Sequence, residues 1–367
     1  MKKMQMKNNY LYLHSKERLY RLNLSKLLET SSMSERPHIE VVHDFLAHGS
    51  PMGMSSVTLG SKLLFFGGER LDMDTSAPDF WRNPISRSDA RNCPNLDLFV
   101  YDPECLSIHP YSVKVPRLGG PMSYPIVVTL EGKIYVMERR PYFGYRENFF
   151  HPIFVVFNPT TSIWRSLSPP PFYEPFSLEW KNDDLIMNHY AWGHKLAIVT
   201  NKSSYIFDAR RESWKEVDDL PNLYSCVEFK GFLIGMFVGV RNLISFELDD
   251  NGLPHSSNYH VLPELRGIFC PPLRNHSPGF VASLDGDGSR MCVVYVGEDG
   301  TYKRWFARLA MVKLHISTCV GKLKVTAVLE GLHSFDCNGL ELYGRTLLSS
   351  FIMRDHLDKH DVEADAS

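Results

Sequence analysis

The sequence predicts an all-β chain made of repeated four-stranded antiparallel sheets. Short apolar or alternating segments recur along most of the 367 residues, and turn residues such as glycine, proline, asparagine and aspartate separate them. Hydrophobic residues make up 44% of the chain, which indicates a packed core. Equivalent positions also recur, because a glycine-containing turn precedes each of KLLFF, KIYVM, KLAIV and FLIGM. Sheets of this kind need neighbours to bury their apolar faces, so we expect them to pack in series.

The clearest unit runs from Ile126 to Pro171. It contains IVVTL, a turn at Gly132, IYVM, a long loop and then FVVFNPTTSIWRSL. These segments predict four short strands, of which the second and third are the most apolar. Four antiparallel strands with a central apolar pair are typical of one blade of a β-propeller.

Counting such units predicts a closed ring of six blades. Five complete units have approximate bounds 55–116, 123–170, 188–221, 224–263 and 279–331. Residues 9–44 supply three strands that lack a first strand, and residues 338–353 supply one strand without successors. We therefore predict a sixth blade closed by three N-terminal strands plus one C-terminal strand, since closure leaves no open ring edge. Seven blades remain the alternative.

The predicted domain organisation is simple. Residues 9–353 form a single propeller, preceded by a disordered segment at 1–8. The acidic tail, residues 354–367, has no apolar periodicity and is predicted to be disordered as well.

Several of the repeated residues resemble the kelch-repeat family. Its blades carry a Gly-Gly doublet after the second strand, a tyrosine before a turn and a tryptophan in the outer strand. Gly67-Gly68, Tyr101, Trp164 and Trp214 match these positions. The resemblance is closest to plant F-box/kelch proteins, and it implies a kelch-type β-propeller that serves as a substrate-recognition component of a ubiquitin ligase.

The sequence departs from that family pattern in two respects. Glu138-Arg139 and Asn201-Lys202 stand where further glycine doublets belong. No F-box precedes the blades in this sequence, so participation in a ubiquitin ligase stays open.

The long connections predict where a ligand binds. Turns between the first and second strands, and between the third and fourth, are short, whereas segments 69–96, 138–152, 171–187 and 264–278 are long. In an antiparallel blade these two sets lie at opposite edges, so we expect all insertions on one face of the disc. Loops on a rigid scaffold commonly carry function.

Arginine and aromatic residues are abundant in these long segments. Such residues dominate protein–protein hot spots, and clustered arginine favours carboxylate-bearing partners. The alternative is that they pack the loops onto the disc or stay solvated. The predicted partner-binding residues are Trp81, Arg82, Arg139, Arg140, Tyr142, Tyr145 and Arg146.

A metal-dependent function is the alternative from another class. Glu40, Asp44 and His48 have the E-x3-D-x3-H spacing that some kelch-type specifier proteins use for iron, and such ligands suit a divalent metal. In those proteins the set follows the glycine doublet, which it does not do here. Asp285-Gly-Asp287-Gly288 resembles the start of a calcium loop, but Val296 occupies the position of the bidentate acid. We therefore expect no metal and no cofactor.

Composition limits the remaining classes of function. A net charge of −2 gives no indication of nucleic acid as a partner, and no apolar run approaches a membrane span. The seven cysteines include no CxxC pair, which favours reduced thiols in the cytoplasm or nucleus. The expectation is a monomeric, non-enzymatic module that binds a protein or peptide, with a propeller enzyme or specifier protein as the alternative.

Overall fold

The structure, a computed structural model, describes residues 9–15, 18–29, 39–45, 47–51, 53–71, 92–94, 98–103, 105, 107–110, 125–139, 154–172, 186–237, 242–262, 265, 274–276, 279–285, 287–299, 304–319, 322–336 and 347–354. These residues form six antiparallel sheets of four or five strands, one two-stranded ladder and one short helix. The all-β prediction is confirmed.

The strands follow the predicted units in order. The N-terminal region contains β1 (Asn9–Ser15), β2 (Arg18–Asn23), helix α1 (Leu24–Glu29) and β3 (Glu40–Asp44). Blade 1 comprises β4 (Ser55–Leu59), β5 (Lys62–Phe66), β8 (Phe99–Asp102) and β9 (Ser107–Pro110), with the ladder β6 (Glu69–Leu71) and β7 (Asn92–Pro94) between its middle strands. Blade 2 comprises β10 (Ile126–Leu130), β11 (Lys133–Met137), β12 (Phe154–Asn158) and β13 (Ile163–Ser166).

The later blades repeat this arrangement. Blade 3 comprises β14 (Ile186–Trp192), β15 (Lys195–Thr200), β16 (Ser204–Asp208) and β17 (Ser213–Val217). Blade 4 comprises β18 (Leu223–Phe229), β19 (Phe232–Phe237), β20 (Leu243–Leu248) and β21 (Pro254–Val261). Blade 5 comprises β22 (Arg274–His276), β23 (Phe280–Ser283), β24 (Arg290–Asp299), β25 (Arg304–Cys319) and β26 (Lys322–Asp336), so it continues past the predicted boundary at 331.

The chain ends form the sixth blade, as predicted. The last described strand, β27 (Leu347–Arg354), pairs antiparallel with β1, and the closing blade has the order β27-β1-β2-β3. The register places Leu11 opposite Ile352 and Tyr12 opposite Phe351. Three N-terminal strands and one C-terminal strand therefore complete the ring, and the structure is a six-bladed β-propeller.

Contacts between the inner strands close the circle. The inner strands of successive blades contact one another in the order β4, β10, β14, β18, β23, β27 and back to β4. In blade 5 the contacting inner strand is β23, which pairs with β24 as β22 does. Side chains join several of these neighbours. The Ser225 hydroxyl in blade 4 accepts the Val281 amide of blade 5 at 2.7 Å, and the Thr129 hydroxyl donates to the Thr58 carbonyl at 3.4 Å.

The hydrophobic core is divided among the blade interfaces. Six clusters of buried side chains occur, and each joins residues from two neighbouring blades. One of them packs Leu64 and Phe66 of blade 1 against Val136 and Phe157 of blade 2. Because a blade buries each of its faces on a neighbour, its stability depends on the ring being complete.

The recurring Lys and Asp or Asn positions have a structural explanation. Lys62 begins β5 and forms a 2.9 Å ion pair with Asp102, the last residue of β8. Lys195 lies opposite Asp208 in the blade 3 register. Asp208 also accepts the amides of Arg210 and Arg211, which shapes the following turn. Asp102 and Asp208, each of which follows an aromatic residue at the end of a third strand, therefore mark the turn to the fourth strand.

The glycine doublet adopts a backbone conformation that other residues rarely adopt. Gly67 and Gly68 are buried and have φ values of 69° and 82°, in the region that favours glycine. Gly235, inside the apolar GFLIGM hairpin, is needed for packing, because a Cβ there would lie 2.6 Å from the Ser225 carbonyl oxygen.

Helix α1 was not predicted. It follows β2, which ends at Asn23, and the Asn23 Oδ1 accepts the Lys26 amide at 3.1 Å. This contact is an N-cap that starts the helix. Leu24 and Leu27 are buried between blade 5 and the closing blade.

The two outer-strand tryptophans each reach the preceding blade. The Trp164 ring lies 6.1 Å from that of Phe66 in blade 1, and the Trp214 ring lies 5.5 Å from that of Phe154 in blade 2. Both side chains are only partly buried. The Trp214 indole N–H donates to the Ser168 carbonyl at 3.1 Å, whereas that of Trp164 is buried without an acceptor in the described structure.

This difference gives a prediction for phenylalanine substitutions. Trp214→Phe should cost about 1 kcal/mol more unfolding free energy than Trp164→Phe, because only Trp214 loses a hydrogen bond. Urea unfolding of both variants at one temperature measures the difference. Equal losses, or a larger loss for Trp164, would contradict the assignment of the two N–H groups.

A buried histidine lies at the junction between the closing blade and blade 1. The His14 side chain has no exposed surface, and its Nδ1 lies 2.7 Å from the Ser56 hydroxyl oxygen. The rings of Phe45 and Phe65 lie 5.4 and 5.0 Å from the imidazole. Burial lowers the His14 pKa to about 3, so the folded protein holds this ring neutral.

The lowered His14 pKa predicts acid sensitivity. An unfolded histidine has a pKa of about 6.5, so between roughly pH 6.5 and pH 3 the unfolded chain binds a proton that the folded chain does not. The contribution of His14 to the free energy of unfolding is therefore fully present above about pH 6.5. Below that pH it decreases by up to about 1.4 kcal/mol per pH unit. Urea unfolding of His14→Gln between pH 7 and pH 4.5 should show a correspondingly shallower pH dependence than the wild type.

His315→Gln is the matched control, because His315 lies exposed on β25. It should retain the wild-type slope. A His14→Gln slope equal to that of the wild type would show that His14 does not stay neutral in the fold.

Candidate functional site

The strand order defines two edges of the disc. Connections from first to second and from third to fourth strands lie at one edge, here called the turn edge. Connections from second to third strands and from one blade to the next lie at the opposite edge, the loop edge. In blades 1 to 4 the turn-edge connections are short, whereas the segments after β5, β11, β13 and β21 are long. For these blades the predicted asymmetry agrees with the topology.

The closing blade is an exception and corrects the prediction that all insertions share one face. Its third and fourth strands, β2 and β3, are joined by residues 24–39, which begin with α1 and attach at the turn edge. β1 also begins and β27 also ends at this edge. The loop edge therefore carries most of the long connections, but not all of them.

Among the predicted partner-binding residues, Arg139 lies in the described structure. It follows β11 at the loop edge of blade 2. Trp81, Arg82, Arg140, Tyr142, Tyr145 and Arg146 lie outside the described residues, so their grouping stays a prediction.

Arg139 reaches across the blade interface to His189. Its Nη2 donates to His189 Nδ1 at 2.9 Å, joining the end of β11 to β14, the inner strand of blade 3. Because a guanidinium can only donate, Nδ1 must accept, and the imidazole proton resides on Nε2. Glu138, which precedes Arg139, is buried with 3% of its surface exposed.

The electrostatics keep His189 neutral. Burial and the nearby Arg139 charge lower its pKa to about 3, although the side chain retains some exposed surface. The contact with His189 fixes the position of the Arg139 guanidinium and leaves the histidine Nε2–H as a second donor.

Further polar contacts continue toward blade 4. The Asn188 amide group donates to the Asn222 side-chain oxygen, and the Tyr190 hydroxyl donates to the Pro221 carbonyl at 2.7 Å. Met187 is 53% exposed on the same strand. Sequence reasoning missed His189 and Asn188, because both lie in a segment that reads simply as an inner strand.

We refer to Glu138, Arg139, Asn188 and His189 as the loop-edge polar site. It combines a cation, a buried carboxyl group and uncharged donors next to an exposed methionine. This arrangement can orient a polar or carboxylate-bearing ligand. It contains no arrangement of nucleophile and base.

The E-x3-D-x3-H residues have other partners. Glu40 accepts two hydrogen bonds from Arg21, at 2.7 and 3.1 Å, and Asp44 accepts one from Arg18 at 2.8 Å. His48 stacks on His43 with ring centroids 4.5 Å apart. Within the described residues, no group of three or more His, Cys, Asp or Glu side chains converges as metal ligands would.

Asp285, Asp287 and Gly288 lie in the turn between β23 and β24. Asp285 accepts the Ser289 hydroxyl at 2.8 Å and Asp287 accepts the Ser289 amide at 3.0 Å. The described residues contain one helix, α1, and its six residues are too few to cross a bilayer.

The fold and the site together define a six-bladed β-propeller with a polar site at one edge of the ring. The chain belongs to the family described as a protein of unknown function (DUF1668), whose model matches residues 30–223. No curated protein matches the chain.

Several solved structures are similar to it at low identity. YjhT is 13% identical, with 84% of this chain and 91% of that chain covered and a TM-score of 0.44. Apo AztD from Citrobacter koseri is 8% identical, with 95% and 99% covered and a TM-score of 0.36. PorZ from Porphyromonas gingivalis is 7% identical, with 87% and 37% covered and a TM-score of 0.36. Likenesses this weak do not bear on function.

The Arg139–His189 contact predicts the state of the histidine. At pH 5.5 His189 should remain neutral with its proton on Nε2, and Arg139→Gln should raise its pKa because the neighbouring positive charge is removed. Selective ¹⁵N-histidine labelling followed by NMR titration measures both properties. Protonation of His189 near pH 6.5 in the wild type, or an unchanged pKa in the variant, would show that the contact is absent in solution.

Proposed function

We propose that this propeller is a non-enzymatic interaction module that binds a protein or peptide at its loop edge. The observation that carries the proposal is Arg139, held at the blade 2–blade 3 interface by a neutral histidine. A guanidinium fixed in this way loses little further freedom on binding, and it suits a carboxylate. The preferred ligand is therefore an acidic side chain or chain terminus.

The sequence around the site supports the same class of ligand. Arg140, Tyr142, Tyr145 and Arg146 follow directly in the insertion that starts at Arg139, and Trp81 and Arg82 belong to the insertion of blade 1. Arginine and aromatic residues are the types that contribute most to protein interfaces. We assign them to one partner-binding surface with Arg139.

The kelch-repeat resemblance supports a more specific role. Gly67-Gly68, Tyr101, Trp164 and Trp214 match the kelch pattern, and we infer that the protein acts in the cytoplasm or nucleus as a substrate-recognition component of a ubiquitin ligase. The alternative of a metal-dependent specifier depended on Glu40, Asp44 and His48. Ion pairs with Arg21 and Arg18 favour a structural role for those two carboxylates.

Affinity purification with quantitative mass spectrometry tests the proposed surface. The full-length wild type is compared with a variant carrying Arg139→Gln, Arg140→Glu and Arg146→Glu. The variant should capture about tenfold less of the specific partner than the wild type does, because charged hot-spot contacts commonly contribute more than about 1 kcal/mol each. Subunits of a cullin-type ligase among the wild-type interactors would support the finer assignment.

Arg210→Glu is the matched control. Arg210 is an exposed arginine at the turn edge, where it pairs with Glu131 at 2.8 Å. It should leave the captured partner unchanged. If the triple variant retains its interactors, or if the control loses them equally, the loop edge is not the binding surface.

A further inference from the structure

Blade 5 has an outer strand unlike those of the other blades. β26 has 15 residues, whereas the outer strands β3, β9, β13, β17 and β21 have between 4 and 8. At about 3.3 Å per residue its length is roughly 50 Å. Among the described strands, β26 pairs with β25 alone, so within the described part of the chain its second side has no strand partner.

This edge carries an unusual number of exposed apolar side chains. Eight large hydrophobic residues are exposed in the described structure, and four of them lie on β26: Leu323, Val328, Leu329 and Leu332, with 37–53% of their surface exposed. No other outer strand has more than one. A long apolar edge strand is a template for pairing with another chain.

The pairing register of β25 and β26 shows which of their side chains share a face of the sheet. Leu314 and Ile316 lie opposite Ala327 and Val325, and this face packs on the core between blades 4 and 5. Leu323, Leu329 and Leu332 share that face, since their partners on β25 are Thr318, Val312 and Ala310. These three exposed leucines therefore form an apolar strip, here called the apolar margin, along β26 on the face that packs on the core.

The opposite face is basic. Lys313 lies opposite Val328, His315 opposite Thr326 and Ser317 opposite Lys324. Lys313 and His315 are exposed and Lys324 is partly exposed. Within the described residues, neither lysine forms an ion pair with a carboxylate, whereas nearby Glu330 is paired with Arg290 at 2.7 Å.

We propose that β26 receives an extended acidic segment of another protein as an added strand. Successive side chains of a strand point to opposite faces, so the segment alternates apolar and acidic residues. Its apolar residues lie beside Leu323, Leu329 and Leu332 of β26. Its carboxylates lie beside Lys324 of β26, and the long side chain of Lys313 extends toward them from β25, one strand further in. Main-chain hydrogen bonds to β26 supply affinity, and the two faces supply specificity.

The charge of the edge favours this partner over a second copy of the chain. Along the basic face, β26 itself contributes Lys324, Thr326 and Val328, and none of these supplies a carboxylate. Self-pairing would therefore leave the lysines without acidic partners.

The test uses three synthetic ten-residue peptides that are capped at both ends and fluorescently labelled. The first alternates glutamate and valine, the second has the same composition in two blocks, and the third alternates lysine and valine. Fluorescence anisotropy with the full-length protein should show that the alternating acidic peptide binds roughly tenfold tighter than either control, since both charge and register contribute.

Charge reversal on the protein gives the second arm of the test. Lys313→Glu combined with Lys324→Glu should weaken the acidic peptide by about tenfold and strengthen the lysine peptide. Lys215→Glu, on the outer strand of blade 3, is the matched control and should change neither. The Arg139, Arg140 and Arg146 variant should retain the preference for the alternating over the block acidic peptide, because that preference depends on strand pairing at β26 and the variant alters the loop edge only.

Three outcomes would overturn the proposal. The alternating and block peptides could bind equally, or reversal of the two lysines could leave acidic-peptide binding unchanged. Sedimentation velocity could instead show a concentration-dependent dimer that Leu323→Lys dissociates, which would assign the edge to a second copy. Thermal melts of all variants show whether a loss reflects unfolding.

Discussion

The pairing of β27 with β1 is the constraint on which the rest of the structure depends. It joins residues at opposite ends of the chain, and it is the step that turns a row of sheets into a ring. Each of the six apolar clusters is shared by two blades, so opening any junction exposes two buried faces at once. The closing blade contributes to two clusters, and His14 is buried at one of these junctions. Contacts of such long sequence separation bring a high loop-closure cost that the completed interfaces must offset.

Closure also explains which sequence features repeat and which do not. Turn-edge residues such as Lys62 and Asp102 recur because every blade must reverse its strands in a small space. Trp164 and Trp214 recur because an outer strand has little apolar surface of its own and gains stability from the preceding blade. Neither requirement, tight strand reversal or packing on the preceding blade, applies to the loop-edge connections. They differ in length from blade to blade, as expected of segments that tolerate insertion.

Local sequence patterns were sufficient to predict the blades, but they were insufficient to predict the loop-edge polar site. Glycine-containing turns and the alternation of apolar residues predicted the ring, and the unmatched ends of the chain predicted its closure. Helix α1 was missed because six residues are too few to display a helical period, although Asn23 and the two buried leucines are the signals that mark it. Arg139 was singled out by residue type, but His189 could not be, because the two side chains meet across an interface between blades and are 50 positions apart. The fully buried His14 gave no local signal either, since its environment comes from Ser56, Phe45 and Phe65.

The two proposed binding surfaces occur where closure constrains the chain least. Inner strands are fixed on both sides by neighbouring blades, and middle strands are fixed within their own sheets. The connections at the edges of the disc and the outermost strands can change without opening the ring. In five blades the outer strand is short, which limits the edge that it exposes. Blade 5 keeps a long outer strand whose exposed apolar margin and basic face lie outside the interblade clusters. Retaining such an edge carries an aggregation risk, and a bound strand would remove that risk by completing the pairing.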